Sequence, residues 1–266
     1  MLENARDWTR TLLVAAGVAV VCGTIVSAVS VWLEPRQARN AQLDRDAVLQ
    51  SLLACQPELV EFLEDAAGTG LAGLDARLVD LDTGCYAPRA DALCFDVEAA
   101  ATDPRQRLTL PLEQDIAAIG DRPNQVVVYE VRRDDELVLL VLPVYGLGYA
   151  SRIDGFLSLG ADLDTVSSLV FYAHGETPGM GARIADTDWQ AAWRGKRTRD
   201  ETGRLQIGVR VRPSGEESAY QIDAMTGATR TGVGVTNLLH FWLGEFGYAP
   251  LIRNLQSGAP CVREAA

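Results

Sequence analysis

Residues 11–33, TLLVAAGVAVVCGTIVSAVSVWL, run for 23 positions without a charge or a proline. As a helix rising ~1.5 Å per residue, such a run covers the ~30 Å hydrocarbon core of a bilayer. The run exceeds the roughly 7–15 residues of a signal-peptide core and no clear small-residue cleavage site follows it, so a single membrane anchor is predicted. Arginines flank both ends, Arg6 and Arg10 before the run and Arg36, Arg39 and Arg45 after it, so charge alone leaves the orientation open. Beyond it, NAQLDRDAVLQSLLACQ (40–56) spaces Leu43, Ala47, Leu52 and Cys55 as an amphipathic helix limited by Pro57.

The pattern then changes to strands. RLVDLDTG (77–84) reads as a short strand closing in a glycine turn, and QVVVYEV (125–131) with LVLLVLPVYG (137–146) reads as a hairpin about RRDDE. GFLSLG (155–160), SSLVFYA (167–173) and LQIGVRVR (205–212) repeat the strand signal, and DTDWQAAWR (186–194) reads as a helix. TGVGVTNLLHFWLGEF (231–246) is predicted as the last long helix, ending near Gly247 and Pro250. Together these predict an α+β fold behind a single N-terminal transmembrane helix. The division is 1–36 for the N-terminal segment and anchor, 37–110 for a juxtamembrane helix and a further α+β region, and 111–266 for the main domain.

With 266 residues, 48% of them hydrophobic, the chain can bury a sizeable core. Its net charge of −12 argues against a nucleic-acid partner, which would leave a basic footprint. Five cysteines without CxxC spacing and two histidines, His174 and His240, predict no metal site made by this chain alone. A single cysteine given to a cluster shared with another protein of a complex stays open. So does the state of Cys85 and Cys94, which in an extracytoplasmic domain can pair or remain thiols. There is no G-x-S-x-G elbow and no phosphate-binding P-loop.

One short stretch carries chemistry: DAMTGATRT, Asp223 to Thr231. Taken alone it is a turn at Gly227 followed by a helix capped by the hydroxyl of Thr229 or Thr231. The full set, Asp223, Thr226, Gly227, Ala228, Thr229 and Thr231 at these spacings, arises by chance in a chain this long roughly once in ten thousand. It resembles the flavinylation motif D-x-x-[ST]-G-A-[ST]-x-T, at which an FAD-dependent flavin transferase joins FMN by a phosphoester to the second hydroxyl residue. The acceptor is then Thr229. Gly227, Ala228 and the start of the following helix offer the close approach and the N–H donors that a phosphate requires. Asp223 is either a turn former or a group that orients the hydroxyl, or a metal, during transfer.

The resemblance extends to Asn40–Asp44, VLPVYGLGYASRIDGFLSLGAD (141–162), HGETPGMG (174–181) and HFWLGEFGYAPLI (240–252). These segments are similar to the C-type member of the sodium-translocating NADH:quinone reductase complex. The related G-type member of the Rnf electron-transport complex shares the motif but usually lacks the last segment. Residues 56–110 match poorly, and Gly148-Tyr-Ala-Ser151 stands where many members have Gly-Leu-Trp-Ser. Met225 and Thr226 stand where Leu and Ser are common.

What the resemblance implies is a redox carrier in the bacterial inner membrane, its domain facing the periplasm and holding one covalent FMN. It would serve a complex that oxidises NADH, reduces ubiquinone and exports Na+. It also implies that Thr177, Met180 and Met225 contact the isoalloxazine ring and that Glu176 and Gly179 shape that loop. A non-redox, membrane-tethered scaffold, with DAMTGATRT only a cap, is the alternative from another class.

Overall fold

The computed structural model describes residues 15–16, 18–20, 22–24, 74–87, 92, 95, 97–211, 218–258 and 261. The chain divides into two units, residues 1–50 and 51–266. In the first, the described residues are helical and exposed. Among the described residues no helix is long and apolar enough to cross a membrane. Most of the anchor predicted over 11–33, and all of the helix predicted over 40–56, lie outside the described residues.

The second unit is built on one antiparallel sheet. In chain order its elements are β1 (Leu74–Asp80), β2 (Cys85–Tyr86), α1 (Val97–Thr102), β3 (Arg107–Thr109), β4 (Asp121–Pro123), β5 (Gln125–Arg133) and β6 (Glu136–Leu147). There follow β7 (Arg152–Gly160), β8 (Val166–His174), a 3-10 turn (Gly181–Ala185), α2 (Thr187–Ala191), β9 (Gly208–Val209), β10 (Gln221–Ile222), α3 (Thr229–Trp242) and α4 (Ala249–Gln256). The six-stranded sheet has the order β2-β1-β5-β6-β7-β8, beside two small ladders, β3 with β4 and β9 with β10.

The β5–β6 hairpin forms where the sequence predicts it. Arg133 pairs with Glu136, leaving Asp134 and Asp135 as a two-residue connection with φ of 52° and 64°. Positive φ at both central positions is the turn whose twist matches paired strands, and aspartate tolerates it. β6 then runs against β7 in unbroken register from Leu139↔Gly160 to Leu147↔Arg152. Its LLVLPVYG stretch is buried at nearly every position, so alternation is absent from the sequence there.

α3 covers this sheet through β6. Val235, Leu238, Leu239 and Trp242 are buried in the core, each such side chain contributing ~1.5–3 kcal/mol relative to exposure. The Trp242 indole N–H donates to the Tyr145 carbonyl at 2.6 Å, and the Tyr248 hydroxyl donates to that of Pro143 at 2.6 Å. Gly234 permits the close approach, because a Cβ there would sit 2.7 Å from the carbonyl oxygen of Leu147.

Three local readings change, and one left open is decided. The strand predicted over 205–212 is reduced to Gly208–Val209, since the Thr236 hydroxyl takes the N–H of Val209 and the Thr198 carbonyl takes those of Gln206 and Ile207. The helix predicted over 186–194 is the five-residue α2. Pro250, read as the stop of the last helix, lies in the first turn of α4, where its missing N–H costs nothing. Cys85 is bonded to Cys261 and not to Cys94. This bridge ties the β1–β2 turn to the chain beyond α4, and from within α4 the Asn254 amide also donates to the carbonyls of Thr83 and Gly84.

Candidate functional site

The DAMTGATRT stretch forms a turn and then α3. The N–H of Ala228 bonds the carbonyl of Met225 at 3.1 Å, and Gly227 has φ +81°, a left-handed conformation that glycine adopts freely. Thr229 is the first helical residue, and the first internal bond of α3 runs from the Gly232 N–H to the Ala228 carbonyl at 3.0 Å. No side chain caps this end, and its first turn carries no acid. The hydroxyl cap expected of Thr229 or Thr231 is thus absent. The N–H groups of the first turn and the positive end of the helix dipole are left for an acceptor from outside the helix.

A second wall comes from the segment after β8. Thr177-Pro178-Gly179-Met180 makes a turn with the Met180 N–H on the Thr177 carbonyl at 3.1 Å and Gly179 at φ +75°. The third wall is the β6–β7 connection, residues 148–151. Glu176 joins all three. Its Oε1 accepts the N–H groups of Tyr149 and Ala150 at 2.9 Å and of Ser151 at 3.3 Å, and its Oε2 accepts the Thr231 hydroxyl at 2.6 Å. Glu176 is 4% exposed and Thr231 2%. These four donors offset the cost of burying the polar oxygens of Glu176.

The walls enclose an open cleft of about 290 Å³. Tyr149, Glu176, Thr177, Met180 and Gly181 line one side and Gly227 to Thr231 the other. Thr229, Arg230, Tyr149 and Met180 are exposed at its mouth. The Arg230 guanidinium lies 5.2 Å from the centre of the Tyr149 ring, a cation–π arrangement. Glu176 is the one acid in the lining among the described residues, and its carboxylate is turned toward its four donors.

Of the residues predicted from sequence, Glu176, Thr177, Met180, Gly227, Ala228, Thr229 and Thr231 come together here. Gly179 and Thr226 lie in the flanking turns. Met225 is 4% exposed within the hydrophobic core, and the Asp223 carboxylate pairs with Arg210 at 3.2 Å. Sequence reasoning missed Arg230, which fills the variable eighth position of the motif. It also missed Gly181 as a space-maker: a Cβ there would sit 2.5 Å from both Glu176 Oε2 and Thr231 Oγ1. Nothing in the sequence alone announces that requirement.

Comparison with known proteins points to the same segments. Residues 148–244 match the FMN-binding domain family, a span that starts at the β6–β7 connection and ends just past α3, so it contains all three walls. The chain is 38% identical over 97% of its length to the C-type protein of the Na+-translocating NADH-quinone reductase of Pseudomonas aeruginosa, covering 99% of that protein. The chain belongs to the NqrC family, the C-type members of the Na+-translocating NADH-quinone reductases. Another family member, from Vibrio campbellii, is 32% identical over 97% of this chain and 99% of its own length. The crystal structure of Shewanella oneidensis NqrC superposes with a TM-score of 0.65 at 30% identity, covering 80% of this chain and 98% of that one. As a member of this family the chain is one component of an oxidoreductase complex, and its FMN-binding domain coincides with the cleft.

Proposed function

We propose that this chain is the electron-carrying component of a Na+-translocating NADH:ubiquinone reductase and that it holds FMN through a phosphoester to Thr229. The observation that carries the reading is an exposed threonine hydroxyl at the first residue of an uncapped 14-residue helix, opening into the cleft. The cleft's chemistry suits the group. The free N–H donors of the first turn of α3, together with the Arg230 guanidinium, favour the single negative charge of a phosphodiester. Tyr149, Thr177 and Met180 offer aromatic, hydroxyl and thioether surface beside it for a flat, polarizable ring. Met225, buried behind the turn, supports the motif from the core.

Attachment makes Thr229 the nucleophile. Its Oγ bonds to the flavin-side phosphorus of FAD, the bond from that phosphorus to the bridging oxygen breaks, AMP leaves with the electron pair, and the hydroxyl proton passes to a base of the flavin transferase. When bound, FMN supplies one- and two-electron redox chemistry. The protein fixes its position, covers one side from water and prevents its loss between turnovers. NADH oxidation, quinone reduction and Na+ export then belong to the assembled complex, with NADH and quinone bound by its other proteins.

Residues 11–33 anchor the chain in a bacterial inner membrane, and the domain faces the periplasm. The Cys85–Cys261 bond supports that side, because disulfides persist in oxidising compartments. The test is ultraviolet fluorescence of the denatured chain on a gel, after co-expression with the transferase, followed by mass spectrometry of the peptide containing Thr229. A fluorescent band and an FMN-phosphoester mass on Thr229 are expected. Thr229→Val should lose both while its thermal midpoint stays near wild type, since the side chain is exposed. Covalent FMN on that variant would sink the assignment.

A further inference from the structure

We propose that Glu176 and Thr231 form a positioning latch that sets the rotation of α3 so that the Thr229 hydroxyl faces the mouth of the cleft. The proposal rests on the reading of Thr229 as the flavin acceptor. Successive helical residues are turned by about 100°, so Thr231 lies about 200° around the axis from Thr229. Holding Thr231 inward therefore holds Thr229 outward. The burial pattern follows this geometry, with Thr229 and Arg230 exposed and Thr231 and Gly232 buried.

This end of α3 requires such a device. It has no side-chain cap, and the residue two before it, Gly227, has a positive φ that gives the entering chain little stiffness. Helix ends of this kind fray. The Thr231 hydroxyl, bonded to Glu176 at 2.6 Å, ties the first turn to a carboxylate that is itself held by three backbone N–H groups of residues 149–151. Two glycines make room for it. A Cβ at Gly148 would sit 2.4 Å from Glu176 Oε1, and one at Gly181 would sit 2.5 Å from Glu176 Oε2.

Packing alone gives no reason for this pair, because valine has the shape of threonine and would fill the same buried space. The hydroxyl is there for the bond. The ninth position of the motif and the glutamate of ETPG, 55 residues apart, are on this account one device, acting on the acceptor without touching it.

The test uses the full chain with the flavin transferase and FAD, at a temperature where circular dichroism shows every variant folded. The initial rate of covalent attachment is read as fluorescence of denatured bands. Thr231→Val should attach flavin at least tenfold more slowly than wild type, and Thr231→Ser, which keeps the hydroxyl, should fall within threefold. Glu176→Ala, which also frees the N–H groups of residues 149–151, should be slowed at least as much as Thr231→Val, and the double variant should be no slower than Glu176→Ala, as for two halves of one contact. Val128→Ala, a buried change in β5 outside the cleft, should attach at the wild-type rate despite lower stability.

The latch is overturned if Thr231→Val reacts at the wild-type rate, if the two single effects multiply, or if Val128→Ala is slowed as much as Thr231→Val. A wild-type chain that takes no flavin from a competent transferase overturns the acceptor reading, and the latch with it.

Discussion

Breaking the Cys85–Cys261 bond should cost much of the domain's stability while leaving the cleft intact. The bond closes a loop spanning a sequence separation of 176 residues. Chain-entropy arguments assign a loop of that length about 5 kcal/mol at 25 °C, gained by restricting the unfolded chain, and native disulfides commonly yield 2–5 kcal/mol. Contacts independent of the bond hold the same ends together. Tyr86 donates its N–H to the Cys261 carbonyl at 2.9 Å, and Asn254 bonds the carbonyls of Thr83 and Gly84 at 3.0 Å each. The folded form of the reduced chain therefore changes little, and the expected loss is about 3–5 kcal/mol. With a urea dependence of about 2 kcal/mol per M, the midpoint should fall by about 1.5–2.5 M. The assay is urea unfolding followed by tryptophan fluorescence, with free thiols alkylated beforehand and half of the sample then reduced. The double variant Cys85→Ser/Cys261→Ser should reproduce the reduced midpoint and still accept flavin, since neither residue lines the cleft. Equal midpoints for oxidised and reduced chains would refute the entropy argument and the pairing's structural role.

Three further outcomes are expected. Gly234→Ala places a Cβ 2.7 Å from the Leu147 carbonyl and 2.9 Å from Gly148 Cα; urea unfolding should show a loss of about 1–3 kcal/mol from this overpacking. Tyr248→Phe leaves the Pro143 carbonyl without its 2.6 Å donor, a loss of about 1–2 kcal/mol by the same assay. The third concerns pH. The Thr202 hydroxyl, then the N–H of Arg204, the Gln206 amide and the N–H of Thr202, hold the Asp200 carboxyl down at about 2 from its ordinary 3.8. A depressed folded-state value means stability present above the unfolded value and lost as pH falls through the folded one. The difference in thermal midpoint between wild type and Asp200→Asn should therefore be constant above pH 5 and shrink between pH 4 and 2.

The strands of the sheet were legible because their burial is one-dimensional. QVVVYEV, LVLLVLPVYG, GFLSLG and SSLVFYA are apolar runs bounded by turn residues, and each became part of β5 to β8. The turn and helix start at DAMTGATRT were legible because their signals are local, within one turn and the start of one helix. What failed depended on partners distant in sequence. LQIGVRVR has strand composition, yet its length is decided by Thr236 and Thr198, neither of which the run reveals. The state of Cys85 stayed open in the sequence for the same reason, since its partner Cys261 is 176 residues away and comes within a Cα separation of 4.8 Å only in the fold. The missing cap has the same origin. Thr231 is the right residue type at a helix start, and only Glu176, arriving from β8, turns its hydroxyl away from the helix end.

The net charge of −12 is a reliable argument against a polyanionic partner and a poor one against a single phosphoryl group. A nucleic acid samples the field of a whole face, whereas the phosphoester proposed at Thr229 would sample charges within about one Debye length, ~8–10 Å at ordinary ionic strength. Within the cleft lining the charges are few: the Arg230 guanidinium, the positive end of α3, and the Glu176 carboxylate. The last of these is committed to three N–H groups and a hydroxyl, all drawn from the walls. An acidic protein thus presents a cleft whose one lining acid among the described residues is turned inward to hold the walls together.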